Sequence, residues 1–208
     1  MVTQGLLVRL DARHGMHDEV EDFLRGALPL VDAEPATTAW FAVRFGRGEY
    51  GIVDFFPDEA GRDAHLAGAV AQALMAKADA LFDAPPKIER VAVLAEKRPA
   101  AASAGSVRKA LLLTFDAKDG HEADVEQFLR DARPLVMAEP ETLSWFALRF
   151  EDGKYGIFDV FPDHGGRFAH ITGHVPRELA KHALTLLGSV PHLELFDVLA
   201  DTVRGDAG

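Results

Sequence analysis

The stretch WFAVRFGRGEYGIVDFFPDEAGRDAH, residues 40–65, returns as WFALRFEDGKYGIFDVFPDHGGRFAH, residues 145–170. At the same offset of 105, residues 5–95 align with 110–200 without a gap, and 45 of the 91 pairs are identical. So long a period is not that of a solenoid, whose units run to about 20–50 residues; each copy has the size of a small domain. The 208 residues divide into a first domain over 1–97, a linker over 98–107 (RPAAASAGSV) and a second domain over 108–208. A lone domain of this size buries a modest fraction of its surface, so the two copies are expected to dock.

Inside the repeated window the hydrophobic period is two. Asp152-Gly153, between Phe150 and Tyr155, is the dipeptide of a two-residue type I′ hairpin, with Phe150 opposite Tyr155 and Leu148 opposite Ile157. That register puts Phe146, Leu148, Tyr155, Ile157 and Asp159 on one face, and Trp145, Ala147, Arg149, Phe158 and Val160 on the other. Both faces are mainly apolar, which an antiparallel sheet requires only when both are covered. Helices of the same copy supply one cover, and the other copy supplies the second.

Upstream of the window, GLLVRL (5–10) and ALLLTF (110–115) read as buried strands ending at Asp11 and Asp116. Val20, Phe23, Leu24, Ala27 and Val31, with their counterparts Val125 to Val136, then fall at helical spacing. Pro29 and Pro134 lie within that pattern and should kink or tighten the helix, and Glu34-Pro35 and Glu139-Pro140 end it. Downstream, Asp58 and Asp163 are placed to cap a helix that carries His65 and His170 and restarts after Gly68 and Gly173. Last strands follow at 88–94 and 193–199, and the tail from Arg204 is expected to be loose. Each copy is therefore β-α-β-β-α-β, the ferredoxin-like order. The fold class is α+β: two ferredoxin-like domains packed sheet to sheet as an intramolecular dimeric α/β barrel.

The net charge is −11, shared evenly between the copies, and no basic run interrupts it, which argues against a nucleic-acid partner. With no cysteine there is no disulfide framework, thiolate metal site or thiol nucleophile. No apolar run approaches membrane-spanning length and Met1-Val-Thr-Gln leads into a strand, so a cytoplasmic protein without membrane association is expected. No ligand spacing suggests a metal.

Glu-Pro-x-Thr before Trp, then Tyr-Gly-Ile-x-Asp-x-Phe, Asp, and Ala-His-[Leu/Ile]-x-Gly resembles the antibiotic biosynthesis monooxygenase superfamily of dimeric α/β barrels. The matching residues include Glu34, Thr37, Trp40, Asp54, His65 and Gly68, and again Glu139, Thr142, Trp145, Asp159, His170 and Gly173. The resemblance covers both copies and implies that a dimer has been fused into one chain, with further oligomerisation open. It also implies three kinds of function: a cofactor-independent monooxygenase, a haem-degrading enzyme, or a protein without known activity. The chain holds no asparagine, which the family's studied polyketide oxygenases and haem degraders place in the pocket.

Five residue types recur at equal offsets where chemistry could use them. Trp40 and Trp145 could stack on a planar aromatic, or be large core residues. Arg44 and Arg149 could hold a phenolate or carboxylate; the alternative is an ion pair between the domains. Asp54 and Asp159 could act as general base, or anchor a helix end or an arginine. His65 and His170 could be base or haem ligand, or buried structural histidines. Tyr50 and Tyr155 could close a pocket mouth, or pack across strands. Together they would suit a cofactor-independent monooxygenase that takes a small phenolic or quinol-type aromatic and O2 as partners in an apolar pocket. In that assignment Asp54, Asp159, His65 and His170 are catalytic, the Trp, Arg and Tyr pairs bind substrate, and no cofactor or metal takes part. A non-catalytic small-ligand-binding or accessory protein is the alternative, and a haem-degrading enzyme the third reading.

Overall fold

The computed structural model describes residues 1–99, 101, 103–104 and 106–205. The first half runs β1 (Gln4–Asp11), α1 (His17–Gly26), α2 (Leu28–Asp32), β2 (Ala39–Gly46), β3 (Glu49–Phe56), α3 (Glu59–Leu66), α4 (Ala69–Leu81) and β4 (Lys87–Lys97). A two-residue strand β5 (Ser103–Ala104) follows. The second half repeats the order as β6 (Lys109–Phe115), α5 (Glu122–Asp131), α6 (Arg133–Met137), β7 (Ser144–Phe150), β8 (Tyr155–Phe161), α7 (His164–Ile171), α8 (His174–Leu186) and β9 (His192–Val203).

The helix breaks fall where proline puts them. α1 stops at Gly26 and α2 begins at Leu28, with Pro29 in its first turn, where a missing N–H costs nothing; α5, α6 and Pro134 repeat this. Asp58 and Asp163 cap the histidine-bearing helices, their side chains accepting from the backbone N–H of Gly61 at 2.8 Å and Gly166 at 2.9 Å. Each such cap contributes about 1 kcal/mol.

The hairpins differ from the expected register by one residue. In the second half the loop holds three residues: Phe150 N–H donates to the Lys154 carbonyl at 2.8 Å, and Gly153 N–H donates to the Phe150 carbonyl at 3.1 Å. Only Gly153 has a positive φ (+90°), so Asp152 does not take the left-handed conformation a type I′ turn demands of both central residues. Tyr155 therefore opposes Arg149, not Phe150, and Trp145 opposes Asp159. Because side chains alternate, a slip of one residue changes which side chains share a face. Trp145, Ala147, Tyr155 and Ile157 lie together under the helices, while Phe146, Leu148, Phe158 and Val160 turn the other way.

That second face is the barrel core. β4 pairs with β7 and β2 with β9, closing the ring β2-β3-β1-β4-β7-β8-β6-β9, all antiparallel, with β5 added beside β9. Inside it, side chains from both halves form one cluster: Phe55 stacks on Phe146 with ring centroids 3.7 Å apart, and Phe41 meets Phe158 at 5.4 Å. The two sheets thus bury their apolar faces against each other, and the chain is a dimeric α/β barrel in one polypeptide.

Where a linker was expected over 98–107, residues 100, 102 and 105 lie outside the described residues, but β5 pairs Ser103 with Val203. Residues 206–208 of the expected loose tail are likewise outside them. Arg204 is anchored: its Nε donates to the Thr37 carbonyl at 2.8 Å and its Nη2 to the Glu34 carbonyl at 3.0 Å. No described helix is long and apolar enough to cross a membrane.

Candidate functional site

On the helix-covered face of each half, a strand aspartate, a helix histidine and a loop glutamate meet. Asp54 sits mid-β3 opposite Trp40, and Asp159 sits mid-β8 opposite Trp145; all four side chains are fully buried. His65 and His170, in the last turns of α3 and α7, reach down onto the sheet. Glu34 and Glu139 follow α2 and α6 and reach across to the histidines. Glu34 Oε2 is 2.5 Å from His65 Nδ1, and Glu139 Oε2 is 2.6 Å from His170 Nδ1. Thr37 and Thr142 donate to the same glutamates at 3.2 and 2.8 Å.

Gly68 and Gly173 are explained by this arrangement. A Cβ on Gly68 would stand 2.5 Å from Glu34 Oε1, and one on Gly173 would stand 3.1 Å from Glu139 Oε1. The glycine that closes the Ala-His-x-x-Gly motif makes room for the carboxylate that holds the histidine.

The other imidazole nitrogen separates the halves. His65 Nε2 lies 3.0 Å from Asp54 Oδ2, whereas His170 Nε2 lies 3.5 Å from Asp159 Oδ2. Both are ion-pair distances without hydrogen-bond alignment, so all four aspartate oxygens, and both indole N–H groups, are buried without a hydrogen bond. Burial pulls the His65 imidazole down, but the adjacent negative charge of Asp54, reinforced by the hydrogen-bonded Glu34, outweighs it and raises its pKa to about 9. His170 is raised by Asp159 and Glu139 against the same burial. Burial would lift Glu139, yet its bond to His170 holds it below the ordinary glutamate range. Asp159 is lifted by burial to about 7, the nearby imidazolium recovering only part of the loss. Burial likewise raises Asp54. The second half therefore has a buried carboxyl, ion-paired at 3.5 Å but without a hydrogen bond, that exchanges a proton near neutral pH.

Asp159 and His170 are also on the wall of a cavity of about 90 Å³, otherwise lined by Leu111, Leu113, Ile157, Ile171, Pro176 and Leu193. The lining is almost wholly apolar. Among the described residues no group of three or more His, Cys, Asp or Glu side chains is placed to hold a metal ion.

The sequence-selected residues fall into two separate sets in each half. Trp, Asp and His share one end of the sheet. Arg and Tyr stand at the hairpin end, Arg44 opposite Tyr50 and Arg149 opposite Tyr155. Arg44 bonds Glu21 at 2.7 Å and, across the halves, Asp197 at 2.9 Å; Arg149 bonds Glu126 at 2.7 Å. Tyr50 and Tyr155 are buried, which raises both phenols, and the Tyr155 hydroxyl donates to the Glu122 carbonyl at 3.4 Å. Glu34, Glu139, Thr37 and Thr142 were legible as repeated motif residues but not as partners of the histidines. Lys97 has no repeat counterpart of its kind: from β4 its Nζ donates to the carbonyls of Val136 (2.9 Å) and Glu139 (2.5 Å) in the other half. Arg204, just past the end of β9, does the same service for the Glu34 loop. Each half's glutamate is thus held by a cation from the other half.

No protein-family model matches the sequence, and no curated protein is similar to it. Solved structures are similar. A candidate monooxygenase from Fusobacterium nucleatum subsp. nucleatum ATCC 25586 superposes with a TM-score of 0.86 at 12% identity, covering 98% of this chain and 95% of that one. A ferredoxin-fold protein related to antibiotic biosynthesis monooxygenases, from Listeria monocytogenes 4b F2365, gives 0.57 at 8% identity over 95% of each chain. A protein of unknown function from Nitrosomonas europaea is 52% identical over 49% of this chain and 98% of that one, with a TM-score of 0.48.

Proposed function

We propose that this chain, which has the fold of the antibiotic biosynthesis monooxygenases as two tandem halves of one barrel, is a cofactor-independent monooxygenase for a small phenolic or quinol-type aromatic. The chemistry belongs to the second half. One observation carries the reading: a fully buried carboxyl, Asp159, without a hydrogen bond, on the wall of an apolar cavity and titrating near pH 7. A general base works best when its pKa lies near the working pH.

Asp159 takes the proton of the phenolic O–H, and the dry walls leave the phenolate unsolvated. The phenolate passes one electron to O2, and the radical pair joins at a ring carbon to give a peroxide anion. Asp159 returns the proton to form the hydroperoxide. The hydrogen on that carbon and the distal hydroxyl then leave as water, so one oxygen atom enters the product as a carbonyl. His170, held by Glu139, stays protonated beside the carboxylate and favours the anion. In the first half Asp54 lies closer to its imidazole, at 3.0 Å.

Oxygen uptake by pure protein with hydroquinone- and anthrone-type substrates tests this. Uptake is expected in the unmodified chain and in Asp54→Asn, and not in Asp159→Asn; rates no higher than a boiled control across all substrates sink it.

A second reading, a non-catalytic small-ligand-binding protein, is favoured by the cavity's size. At about 90 Å³ it is well below the roughly 300 Å³ of ordinary small-molecule sites, and neither Trp145 nor Arg149 lines it. Ligand-induced thermal shifts without product would support that reading. A haem-degrading role finds less support, because both ring nitrogens of His65 and His170 already face carboxylates.

A further inference from the structure

The barrel closes along two seams, and they are not alike. Where β9 joins β2, the rung Lys109, Asp197, Arg44 crosses three strands in register. Asp197 accepts from Arg44 Nη2 at 2.9 Å and from Lys109 Nζ, so the rung is neutralised from within. Where β4 joins β7, the equivalent rung is Gln4, Ala92, Arg149. A methyl group stands where the other seam has its carboxylate.

The arginines are otherwise treated alike. Nη1 of each donates to a glutamate on the first helix of its own half at 2.7 Å, Arg44 to Glu21 on α1 and Arg149 to Glu126 on α5. Arg44 Nη2 continues to Asp197, whereas Arg149 Nη2 makes no hydrogen bond among the described residues. Two more guanidinium groups converge on the same place. Arg90, two residues before Ala92 and so on the same face of β4, is exposed and has no ion pair among the described residues; its counterpart on the other seam is Leu195. Arg62, 5% exposed, donates to Gln4 Oε1 at 2.6 Å and to Glu59 at 3.0 Å, and its buried Nε has no hydrogen bond. Its counterpart Arg167 spends its charge on the backbone carbonyls of Ala110 and Phe196. These residues line a groove of about 450 Å³, with the exposed Glu151 also in its wall.

We infer that this groove binds a small organic carboxylate, whose anionic group lies over Ala92 in the position that Asp197 fills on the opposite seam. Arg149 Nη2 and the Arg90 guanidinium supply the fork that planar carboxylates accept. The floor is open because Ala92 ends at Cβ. The site shares no residue with the Asp159 cavity, so it stands or falls independently of the oxygenase reading.

Calorimetric titration of the full chain at low ionic strength with succinate, acetate and inorganic phosphate tests the inference. Saturable binding of succinate, one per chain, is expected. Ala92→Asp restores the Asp–Arg pair of the other seam's rung, so it should fold, confirmed by an unchanged far-ultraviolet spectrum, and weaken succinate at least about tenfold by supplying the carboxylate internally. Arg90→Leu, which copies the residue at position 195, should weaken it by a similar factor. Absence of saturable binding to the unmodified chain, or unchanged affinity in folded Ala92→Asp, overturns the site. Tighter binding of phosphate than of succinate overturns its assignment to carboxylates.

Discussion

Replacing Asp159 by asparagine should make the protein more stable, increasingly so as pH rises. The carboxyl is fully buried and its pKa moves from 3.8 to about 7 on folding. An acid whose pKa is raised by folding contributes nothing unfavourable below pH 3.8, where both states are protonated. It costs stability progressively as pH climbs toward 7, and the cost is constant above that. Linkage at 1.36 kcal/mol per unit gives a penalty on the order of 4 kcal/mol above pH 7, of which about 3 kcal/mol accrues between pH 4.5 and 7.5. The isosteric amide cannot ionise, so it escapes this penalty. It gives back a part because His170 loses the negative neighbour that helps keep it protonated. Denaturant unfolding of both proteins at five pH values from 4.5 to 8.5 isolates the pH-dependent part from any fixed packing offset. The stability difference in favour of asparagine should grow by at least about 2 kcal/mol over that range. A flat difference, or one that shrinks with pH, refutes the claim that Asp159 is a buried acid whose pKa folding raises, and with it the base assigned to the oxygenase.

The first half makes a complementary prediction: the His65 imidazole should titrate near 9 by NMR, its contribution to stability being full below pH 6.5 and lost as pH rises through 9. A midpoint at or below 6.5 would contradict the carboxylate clamp. Gly68→Ala should destabilise the first half more than Gly173→Ala destabilises the second, because the new methyl would sit 2.5 Å from Glu34 Oε1, on a carboxylate held by His65 and Thr37, against a closest approach of 2.9 Å, to the His170 carbonyl, in the second half; melting temperatures decide the order. Lys97→Met removes two bonds to the Glu139 loop and should cost about 1–3 kcal/mol of unfolding free energy and reduce any turnover; an unchanged rate would show that the loop holds itself. Phe146→Ala, emptying the stacked pair at the barrel centre, should cost about 3–5 kcal/mol, and a loss under 1 kcal/mol would mean the halves are not packed through it.

The repeat made the architecture legible. Two copies of β-α-β-β-α-β with sheets apolar on both sides leave few arrangements, and the barrel follows from covering both faces. The hairpin register was not legible, because Glu151 can either end β7 or join the loop, and the Asp-Gly dipeptide suits both a two-residue turn and the last positions of a three-residue one. That single residue decided whether Trp145 and Asp159 lie on the same face. His65, His170, Asp54 and Asp159 could be chosen from their recurrence inside apolar elements. Their link to Glu34 and Glu139 could not, since it depends on a helix end folding back over a strand about thirty residues away. Lys97 and Arg204 were invisible for a different reason: they act across the repeat boundary, where aligning one copy on the other says nothing. Ala92 opposite Asp197 was plain in the alignment as a mismatch, but its meaning required knowing which strands become neighbours.

A barrel assembled from two separate identical chains has a twofold axis, and any codon change appears at both of its joints at once. Joining the halves removes that constraint. An aspartate can persist at position 197 while its mate at 92 shrinks to a methyl, and one carboxyl can drift half an ångström from its imidazole while the other stays close. The covalent connection also fixes stoichiometry, so the unlike halves meet each other and never a twin of themselves. Such a chain can specialise one side for reactivity and keep the other for rigidity, a division unavailable to a symmetric pair.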